Sequence, residues 1–407
     1  MKKLLLFSFI MLLIAVSCSN NNHYSSKVIL KNQNDLNLTD QYVEIDLDKL
    51  GITEKSANLE FLVKVNGEEV PSQKIGESRL AIITDFNANE EKTATIESGQ
   101  KIKVKKYKDR AYTEIAMKVG AHEKDGYYSG GKFQTFDSLR IPDGHTDHNA
   151  LFKYEGLGLE SDKVAYRMYI DWRNRIDIFG KKTNEIVLPE VGRDDLESEN
   201  ETYHEMNDWG MDIFKVGSTL GIGTYGMYAD DGFVSVESRD SVIVKIIENG
   251  PLKATAMVDY YGWKVNNKIY DLNAKLSSFA DSRLIEVDLD VTNNPKSLIT
   301  GLAKHENTEF TKSDITKGWN YIGLYGMQTL NDDDLGIALF YNTNSLVEQT
   351  EDDGNYIVEL KPNNGKVKYY FAAAWEKEPN GIKSKSEFDK YLNNVVELLN
   401  NPIILEY

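Results

Sequence analysis

Short segments in which apolar and polar residues alternate dominate this chain from Lys27 onward. Three clear examples are LEFLVKVNGEEV (59–70), SVIVKIIENGPLKATAMVDYYGWKV (241–265) and RLIEVDLDVTNN (283–294). A period of two residues, bounded by Asn, Gly and Asp, is typical of half-buried antiparallel strands. Asn66-Gly67 and Asn249-Gly250-Pro251 predict tight turns between consecutive strands. The pattern therefore predicts an all-β fold built as a large antiparallel β-sandwich.

Helical patterns are scarce, and the strongest one lies near the C-terminus. Ser384 and Glu387 have the spacing of a capping box, and apolar residues follow at helical spacing until Pro402. We expect few short helices besides this C-terminal helix. A weak change in composition near Gly131 divides the chain into an N-terminal β-sandwich portion (27–130) and a main portion (131–407).

The N-terminus has the pattern of an export signal. Lys2 and Lys3 precede an apolar run that is shorter than the roughly 20 residues of a membrane-spanning helix. Ala15-Val16-Ser17-Cys18 resembles a bacterial lipobox, and Cys18 is the single cysteine of the chain. We predict a signal peptide (1–17), lipidation at Cys18, a polar tether (18–26) and a periplasmic lipoprotein anchored to the membrane. A plain secretory signal is the alternative.

The net charge restricts the possible partners. The chain carries 47 basic and 64 acidic side chains, a formal charge of −17. Nucleic acid is therefore not expected as a partner, because phosphate binding requires a basic surface. An anionic substrate remains compatible with a local cationic pocket, although the overall field would not steer it there.

The stretch PDGHTDHNAL (142–151) places His145 and His148 three residues apart, with Asp147 between them. Imidazole titrates near neutral pH, so both histidines are candidates for acid/base catalysis. A His-x-x-His pair can also bind zinc, with Asp147 or His204 completing the ligand set. No HExxH helix is present, and we predict no cofactor, with a divalent metal as the alternative. An ordinary polar turn explains the same residues.

The stretch YRMYIDWRNRIDIF (166–179) predicts a strand with a polar face. Alternation places Arg167, Tyr169, Asp171 and Arg173 on the same side. Two arginines and a tyrosine suit an anionic sugar, because guanidinium binds carboxylate or sulfate in a bidentate manner. A solvated outer face of a sheet has the same pattern.

Two further segments supply candidates for a sugar-binding cleft. His204 precedes Trp209, a possible stacking platform, and Lys215, a possible contact to carboxylate or sulfate. Trp209 fits equally well in an apolar core. Lys304 and His305 end a strand-like segment and can approach the cleft from the opposite wall.

Several of these segments resemble known families. The run SSFADSRLIEVDLDVT (277–292) resembles a strand pair of galactose-mutarotase-like proteins, in which large antiparallel sheets form a supersandwich. YRMYIDWRNRIDIFGKK (166–182), HEMNDWGMDIFKVGSTLG (204–221) and ITGLAKHEN (299–307) resemble a family of formerly uncharacterised lipoproteins encoded in polysaccharide-utilisation loci of Bacteroidetes-type bacteria. That family includes an oligosaccharide dehydratase of ulvan breakdown. The resemblance extends over roughly residues 27–407.

The resemblance implies a hydro-lyase acting on anionic oligosaccharides that contain uronic acid, with or without sulfate. Elimination of water requires donors for the uronate carboxylate, a base at C5 and an acid at the C4 hydroxyl. The catalytic candidates are His145, His148, His204, Arg167 and His305. The substrate-binding candidates are Trp209, Lys215, Tyr169, Arg173 and Lys304. A polysaccharide lyase, a glycoside hydrolase and a non-catalytic glycan-binding lipoprotein are the alternatives.

Overall fold

The computed structural model describes residues 24–52, 59–99, 102–192, 203–230 and 232–407. Within these ranges the chain forms antiparallel β-sheets and one C-terminal helix, which confirms the predicted all-β sandwich. The predicted signal peptide, Cys18 and the first part of the tether lie outside the described residues. The last tether residues, Tyr24–Ser26, already belong to the first strand.

Strands β1 to β7 form two sheets around a core of their own. Their bounds are β1 (Tyr24–Lys31), β2 (Leu38–Asp46), β3 (Glu60–Val65), β4 (Glu68–Glu69), β5 (Ser72–Ile75), β6 (Arg79–Phe86) and β7 (Glu91–Gly99). One sheet contains β1, β7, β3 and β4 together with the C-terminal strand, and the other contains β2, β6 and β5. Asn66 (φ 51°) and Gly67 (φ 91°) turn β3 into β4, as predicted.

The next strands build a six-stranded sheet. Their bounds are β8 (Ala111–Val119), β9 (His122–Lys124), β10 (Tyr127–Ser129), β11 (Lys132–Thr135), β12 (Ser138–Arg140), β13 (Phe152–Ser161), β14 (Ala165–Tyr169), β15 (Ile176–Lys181) and β16 (Gly210–Asp212). The order in this sheet is β11, β8, β13, β14, β15, β16, while β9 and β10 pair separately. The chain enters this sheet between Gly99 and Ala111, earlier than the division expected near Gly131.

The remaining strands, except for the C-terminal strand that pairs with β1, join β12 to form a nine-stranded and a five-stranded sheet. Their bounds are β17 (Gly226–Ala229), β18 (Gly232–Ser235), β19 (Ser241–Asn249), β20 (Lys253–Val265), β21 (Lys268–Phe279), β22 (Leu284–Val291), β23 (Leu298–Ala303), β24 (Thr308–Lys312), β25 (Trp319–Met327), β26 (Asp334–Asn342), β27 (Leu346–Glu351), β28 (Asn355–Leu360), β29 (Lys366–Trp375) and β30 (Ile404–Glu406). The nine-stranded order is β12, β19, β20, β21, β22, β29, β26, β25, β24. The five-stranded order is β18, β17, β23, β28, β27.

A continuous apolar core lies between the large sheets. Leu157 and Met168 enter it from the six-stranded sheet, and Val258, Leu276 and Val287 enter it from the nine-stranded sheet. Strand β22 alternates buried and less buried residues along its whole length, so one face of the nine-stranded sheet covers this core. The arrangement leaves the opposite face of the six-stranded sheet available for polar side chains.

Helix α1 (Lys385–Asn400) packs on the outer face of the nine-stranded sheet through Phe388 and Leu392. The Ser384 side chain accepts a hydrogen bond from the Glu387 amide at 3.2 Å, and Glu387 accepts one from the Lys383 amide at 2.8 Å. The predicted cap is therefore present. In the described ranges, no helix has the length and apolar character that a membrane crossing requires.

Candidate functional site

Polar side chains gather on the face of the six-stranded sheet that is turned away from the main core. The register places Arg167 of β14 directly opposite Asp177 of β15, so both side chains point to this face. Their neighbours Met168 and Ile178 point into the core instead. Alternation along the strands thus separates an apolar face from a polar one, as the sequence pattern predicted for β14.

Arg167 forms the buried centre of this polar cluster. Its Nη2 donates to Oδ2 of Asp177 at 2.7 Å and to Oδ2 of Asp212 at 2.6 Å, and its Nε also donates to Asp177. All three side chains are at most 4% exposed. Burial and the negative charge of Asp212 raise the pKa of Asp177 to about 6, although Arg167 opposes this rise. The alternative of a solvated outer face does not apply to Arg167, because two aspartates enclose its buried guanidinium.

Tyr169 links Arg167 to the turn that follows β14. The Tyr169 hydroxyl donates to Oδ2 of Asp177 at 2.7 Å. The guanidinium carbons of Arg167 and Arg173 lie 4.8 Å and 3.9 Å from the centroid of its ring, within cation–π distance. Burial and the Asp177 carboxylate raise the pKa of Tyr169, so its hydroxyl remains a hydrogen-bond donor.

Arg173 is paired with two carboxylates at the edge of the cluster. Its Nε donates to both carboxylate oxygens of Asp171 at 3.0 Å, and its Nη2 donates to Oε2 of Glu155 at 3.1 Å. Glu155 (φ 65°) lies next to Tyr154 (φ 38°) where the pairing of β13 with β8 is interrupted. This irregularity directs the Glu155 carboxylate into the cluster. Burial opposes its ionisation, but Arg173 and Arg167 hold the pKa of Glu155 below its usual value.

His148 lies at one end of the cluster. Its Nδ1 is 3.3 Å from Oδ2 of Asp147 and 3.8 Å from Oε1 of Glu155, and 78% of its side chain is exposed. The Trp172 indole N–H donates to Oδ1 of Asp147 at 3.1 Å. That bond is the main reason why the pKa of Asp147 falls to about 2. Trp172 is 52% exposed, so a flat aromatic surface is held next to an oriented histidine.

His145 is oriented differently from His148. Its Nδ1 lies 3.2 Å from Oδ1 of Asn149, and its ring packs 4.6 Å from the ring of Phe152. Burial lowers the pKa of His145. The two histidines therefore have different partners, and the described part of the chain shows no cluster of three or more His, Cys, Asp or Glu side chains arranged to hold a metal.

His204 lies at the other end of the cluster. Its Nδ1 is 3.2 Å from Oδ2 of Asp212, the carboxylate that also accepts from Arg167. The imidazole is 57% exposed and its ring centroid is 4.4 Å from that of Tyr203. A carboxylate on Nδ1 fixes the tautomer and the orientation of a histidine ring. His204 therefore has the arrangement of an acid/base histidine.

Among the remaining predicted residues, Trp209 adjoins the cluster through Phe179, whose ring centroid lies 5.3 Å from Cζ of Arg167. The others contact other parts of the fold. Trp209 packs edge-on against Phe179 with centroids 6.1 Å apart, as expected for a core residue. His305 packs 4.8 Å from the Phe214 ring, near Lys215, and burial lowers its pKa. The Lys304 ammonium pairs with Glu351 at 2.8 Å. The structure thus joins His145, His148, His204, Arg167, Tyr169 and Arg173, and it places Lys215, Lys304 and His305 among other contacts.

The cluster also contains residues that sequence reasoning missed as site members: Asn149, Glu155, Trp172, Asp177 and Asp212. Trp172 and Asp177 belong to the same polar stretch as Arg167, so their closeness in sequence could have predicted that they belong to the same site. Asp212 and Glu155 reach the cluster through strand pairing and a β-bulge, which no local pattern indicates.

A cavity of about 550 Å³ lies elsewhere, between α1 and the loop before it. Arg283, Lys383, Lys390 and Tyr391 are among the residues that line it. None of the ten predicted catalytic and substrate-binding residues belongs to this lining. The candidate site is therefore the polar cluster, an open arrangement with exposed residues at both ends.

Comparison with sequence families gives a match over nearly the whole chain. Residues 30–404 match the model of a family described as a domain of unknown function, DUF4861. An uncharacterized protein called P7 from Formosa agariphila is 26% identical over 207 residues. This match covers 49% of the chain and 51% of that relative, so only about half of the curated relative is matched.

Two solved structures from Enterococcus faecalis resemble this chain in structure, and each match covers 94% of the chain. One is a protein in glycosyl hydrolase family 38, with 10% identity and a TM-score of 0.47. The other is an alpha-mannosidase, with 11% identity and a TM-score of 0.43. The match covers 47% and 46% of those chains, respectively.

Proposed function

The chain belongs to the DUF4861 family, and we propose that it is a carbohydrate-active hydro-lyase that removes water from the non-reducing-end uronic acid of ulvan-type oligosaccharides. The product is a 4,5-unsaturated uronate of unchanged chain length. One observation carries the proposal: two exposed histidines at opposite ends of a single polar cluster each have Nδ1 on a carboxylate, His204 on Asp212 and His148 on Asp147. The segment resemblance to an oligosaccharide dehydratase supplies the substrate class.

The proposed reaction is a β-elimination. A base removes the C5 proton, the electrons of that bond form the C4–C5 double bond, and the C4 hydroxyl leaves as water after receiving a proton from an acid. The uronate carboxylate must be neutralised by cationic or hydrogen-bond donors, because the C5 proton is otherwise poorly acidic. One base, one acid and one anion-binding group therefore suffice.

The surroundings of the two histidines suit them to different roles. We assign His204, whose Nδ1 is held by the buried Asp212, as the base that accepts the C5 proton. We assign His148, which lies within 4 Å of Asp147 and Glu155 and next to the exposed Trp172, as the group that transfers a proton to the leaving hydroxyl. A proton transfer by one positioned side chain typically accelerates a reaction by about 10²–10⁴-fold.

Trp172 is suited to bind the sugar ring. Its indole N–H is held by Asp147, so the exposed ring is fixed before substrate arrives and little rotamer entropy is lost on binding. Arg167 and Arg173 are less suited to the uronate carboxylate than the sequence suggested. Arg167 donates to Asp177 and Asp212 through Nε and Nη2, and its Nη1 is buried without a hydrogen-bond partner among the described residues. Arg173 donates to Asp171 and Glu155.

The proposal includes export. A lysine-containing start, a short apolar run and Cys18 in a lipobox-like sequence support a periplasmic lipoprotein anchored to the membrane through Cys18.

Incubation of residues 19–407 with purified ulvan oligosaccharides tests the function. Mass spectrometry with ultraviolet detection is expected to show the loss of one water per molecule, a new conjugated double bond and an unchanged number of sugar units. Shorter unsaturated products would indicate a lyase, and shorter saturated products a hydrolase. Binding without any change in mass would leave a glycan-binding protein.

A further inference from the structure

Arg175 differs from the other arginines near the candidate site. It lies directly before β15, and its Nη1 donates to the Arg173 carbonyl at 2.9 Å. Within the described residues its guanidinium forms no ion pair, whereas Arg167 and Arg173 each have two acidic partners. Asp171 and Glu237 act on Arg175 only through space. Most of its donor capacity is therefore uncommitted.

Leaving such a group partly buried is unfavourable. Burial lowers the pKa of Arg175 to about 10, and the side chain still carries its charge at neutral pH. A buried charge without a counter-ion costs free energy unless a ligand or water satisfies it. Arg239 has no acidic partner among the described residues either, but it donates to the carbonyls of Val236, Glu237, Ile170 and Asp171 and is satisfied within the fold.

The chain supports the Arg175 guanidinium with an aromatic ring. Its Cζ lies 5.0 Å from the Phe233 centroid. The Phe233 ring itself fits over Gly226, where an added Cβ would come within 2.6 Å of Phe233 Cε2. A guanidinium supported on a ring keeps its in-plane N–H groups available for bidentate binding.

An exposed tyrosine continues this surface. Tyr228 is the direct partner of Phe233 in the β17–β18 ladder, so both rings lie on the same face of the sheet. Tyr228 is 41% exposed. Arg175 contacts Phe233, and the exposed Tyr228 ring lies on the same sheet face as Phe233. This combination suits a sugar unit that carries a negative charge, because an exposed ring can pack on the pyranose while the guanidinium binds the acidic group.

We propose that Arg175, Phe233 and Tyr228 form an anion subsite that binds the carboxylate or sulfate of a sugar unit in the substrate. The choice of a saccharide rests on the proposed function, whereas the anion site rests on the geometry of these three residues. The subsite supplies the cationic donor that Arg167 and Arg173, already paired with acids, do not offer.

Calorimetric binding of ulvan oligosaccharides to Arg175→Met and Arg175→Lys tests the subsite. We expect Arg175→Met to weaken binding at least tenfold and Arg175→Lys to weaken it less. Arg79→Met removes an exposed arginine that pairs with Asp46 and is expected to leave binding unchanged. Without ligand, Arg175→Met is expected to keep or raise the melting temperature, because it removes an uncompensated charge. Binding equal to wild type by a folded Arg175→Met would overturn the proposal.

Two further arms identify the anion and keep the test independent of folding. If Arg175→Met also weakens the binding of desulfated oligosaccharides, the subsite binds the carboxylate. If the substitution no longer changes the affinity for them, the subsite binds sulfate. If Arg175→Met fails to fold, inorganic sulfate and acetate are titrated against the melting temperatures of wild type and Arg175→Lys. The subsite is supported if these anions raise the melting temperature of wild type more than that of Arg175→Lys. Equal increases in melting temperature contradict it. Because binding at the subsite does not depend on turnover, an inactive protein would defeat the proposed function but not the subsite.

Discussion

Nδ1 of the exposed His204 lies 3.2 Å from Oδ2 of Asp212, a carboxylate that is only 2% exposed. The same oxygen accepts a hydrogen bond from Arg167 at 2.6 Å. The surface histidine is therefore anchored to a buried ion cluster and not to a flexible surface acid. Such an anchor restricts the imidazole to one orientation and is the kind of preorganisation that acid/base catalysis requires.

His204→Gln is expected to lower the rate of unsaturated product formation by about 10²–10⁴-fold, because glutamine cannot accept the C5 proton. Stability is expected to change little, since the side chain is 57% exposed. Initial rates from ultraviolet absorbance measure the effect. His122→Gln, a change of an exposed histidine on β9, serves as the matched control. Equal rates in both variants would exclude His204 as the base.

Arg167→Met is expected to destabilise the protein by about 3–5 kcal/mol, because Asp177 and Asp212 would remain buried without their counter-ion. Urea unfolding measures the change in free energy. Arg79→Met breaks an exposed pair with Asp46 and is expected to cost about 0–1 kcal/mol. A similar small cost for both variants would show that the buried cluster does not hold β14, β15 and β16 together.

The pKa of Asp177 predicts a specific pH dependence of stability. Its pKa is raised to about 6 by burial and by Asp212, against about 3.9 for an unfolded aspartate. Between these values the folded state binds more protons, so this contribution is present below about pH 4 and is lost as the pH rises towards 6. Asp177→Asn is expected to remove that decline from the curve of unfolding free energy against pH. A decline of the same size in the variant would assign it to another group.

Trp172→Ala is expected to weaken oligosaccharide binding about tenfold, which corresponds to about 1.4 kcal/mol. The ring is 52% exposed, so its removal is expected to leave the melting temperature nearly unchanged. Calorimetry and thermal unfolding measure the two effects. Tyr261→Ala removes a ring that is 41% exposed on β20 and is a suitable control. Loss of stability without loss of affinity would indicate a packing role for Trp172.

Local features of the fold were predictable from sequence. Asn66-Gly67 adopts positive φ angles because the hairpin requires them, and Ser384 caps α1 through an amide three residues away. Alternation in the stretch around Arg167 correctly separated its polar face from the side of Met168. Each of these outcomes depends on residues that are close together in the chain.

The partners of the site residues were not predictable in the same way. Arg167 meets Asp212 across 45 positions, and Glu155 reaches Arg173 because an interruption in the pairing of β13 gives it a positive φ. Neither contact has a local signature. Sequence therefore identified both arginines of the cluster, but it did not identify Glu155, Asp177 or Asp212 as their acidic partners.

Deuterium at C5 of the non-reducing-end uronic acid gives the most direct test of the central claim. After incubation of the labelled oligosaccharide with residues 19–407, mass spectrometry follows the label and the chain length. The account predicts an unsaturated product that has lost both the deuterium and one hydroxyl at unchanged length, formed far more slowly by His204→Gln than by His122→Gln. A shortened product that retains its deuterium would contradict elimination at this site.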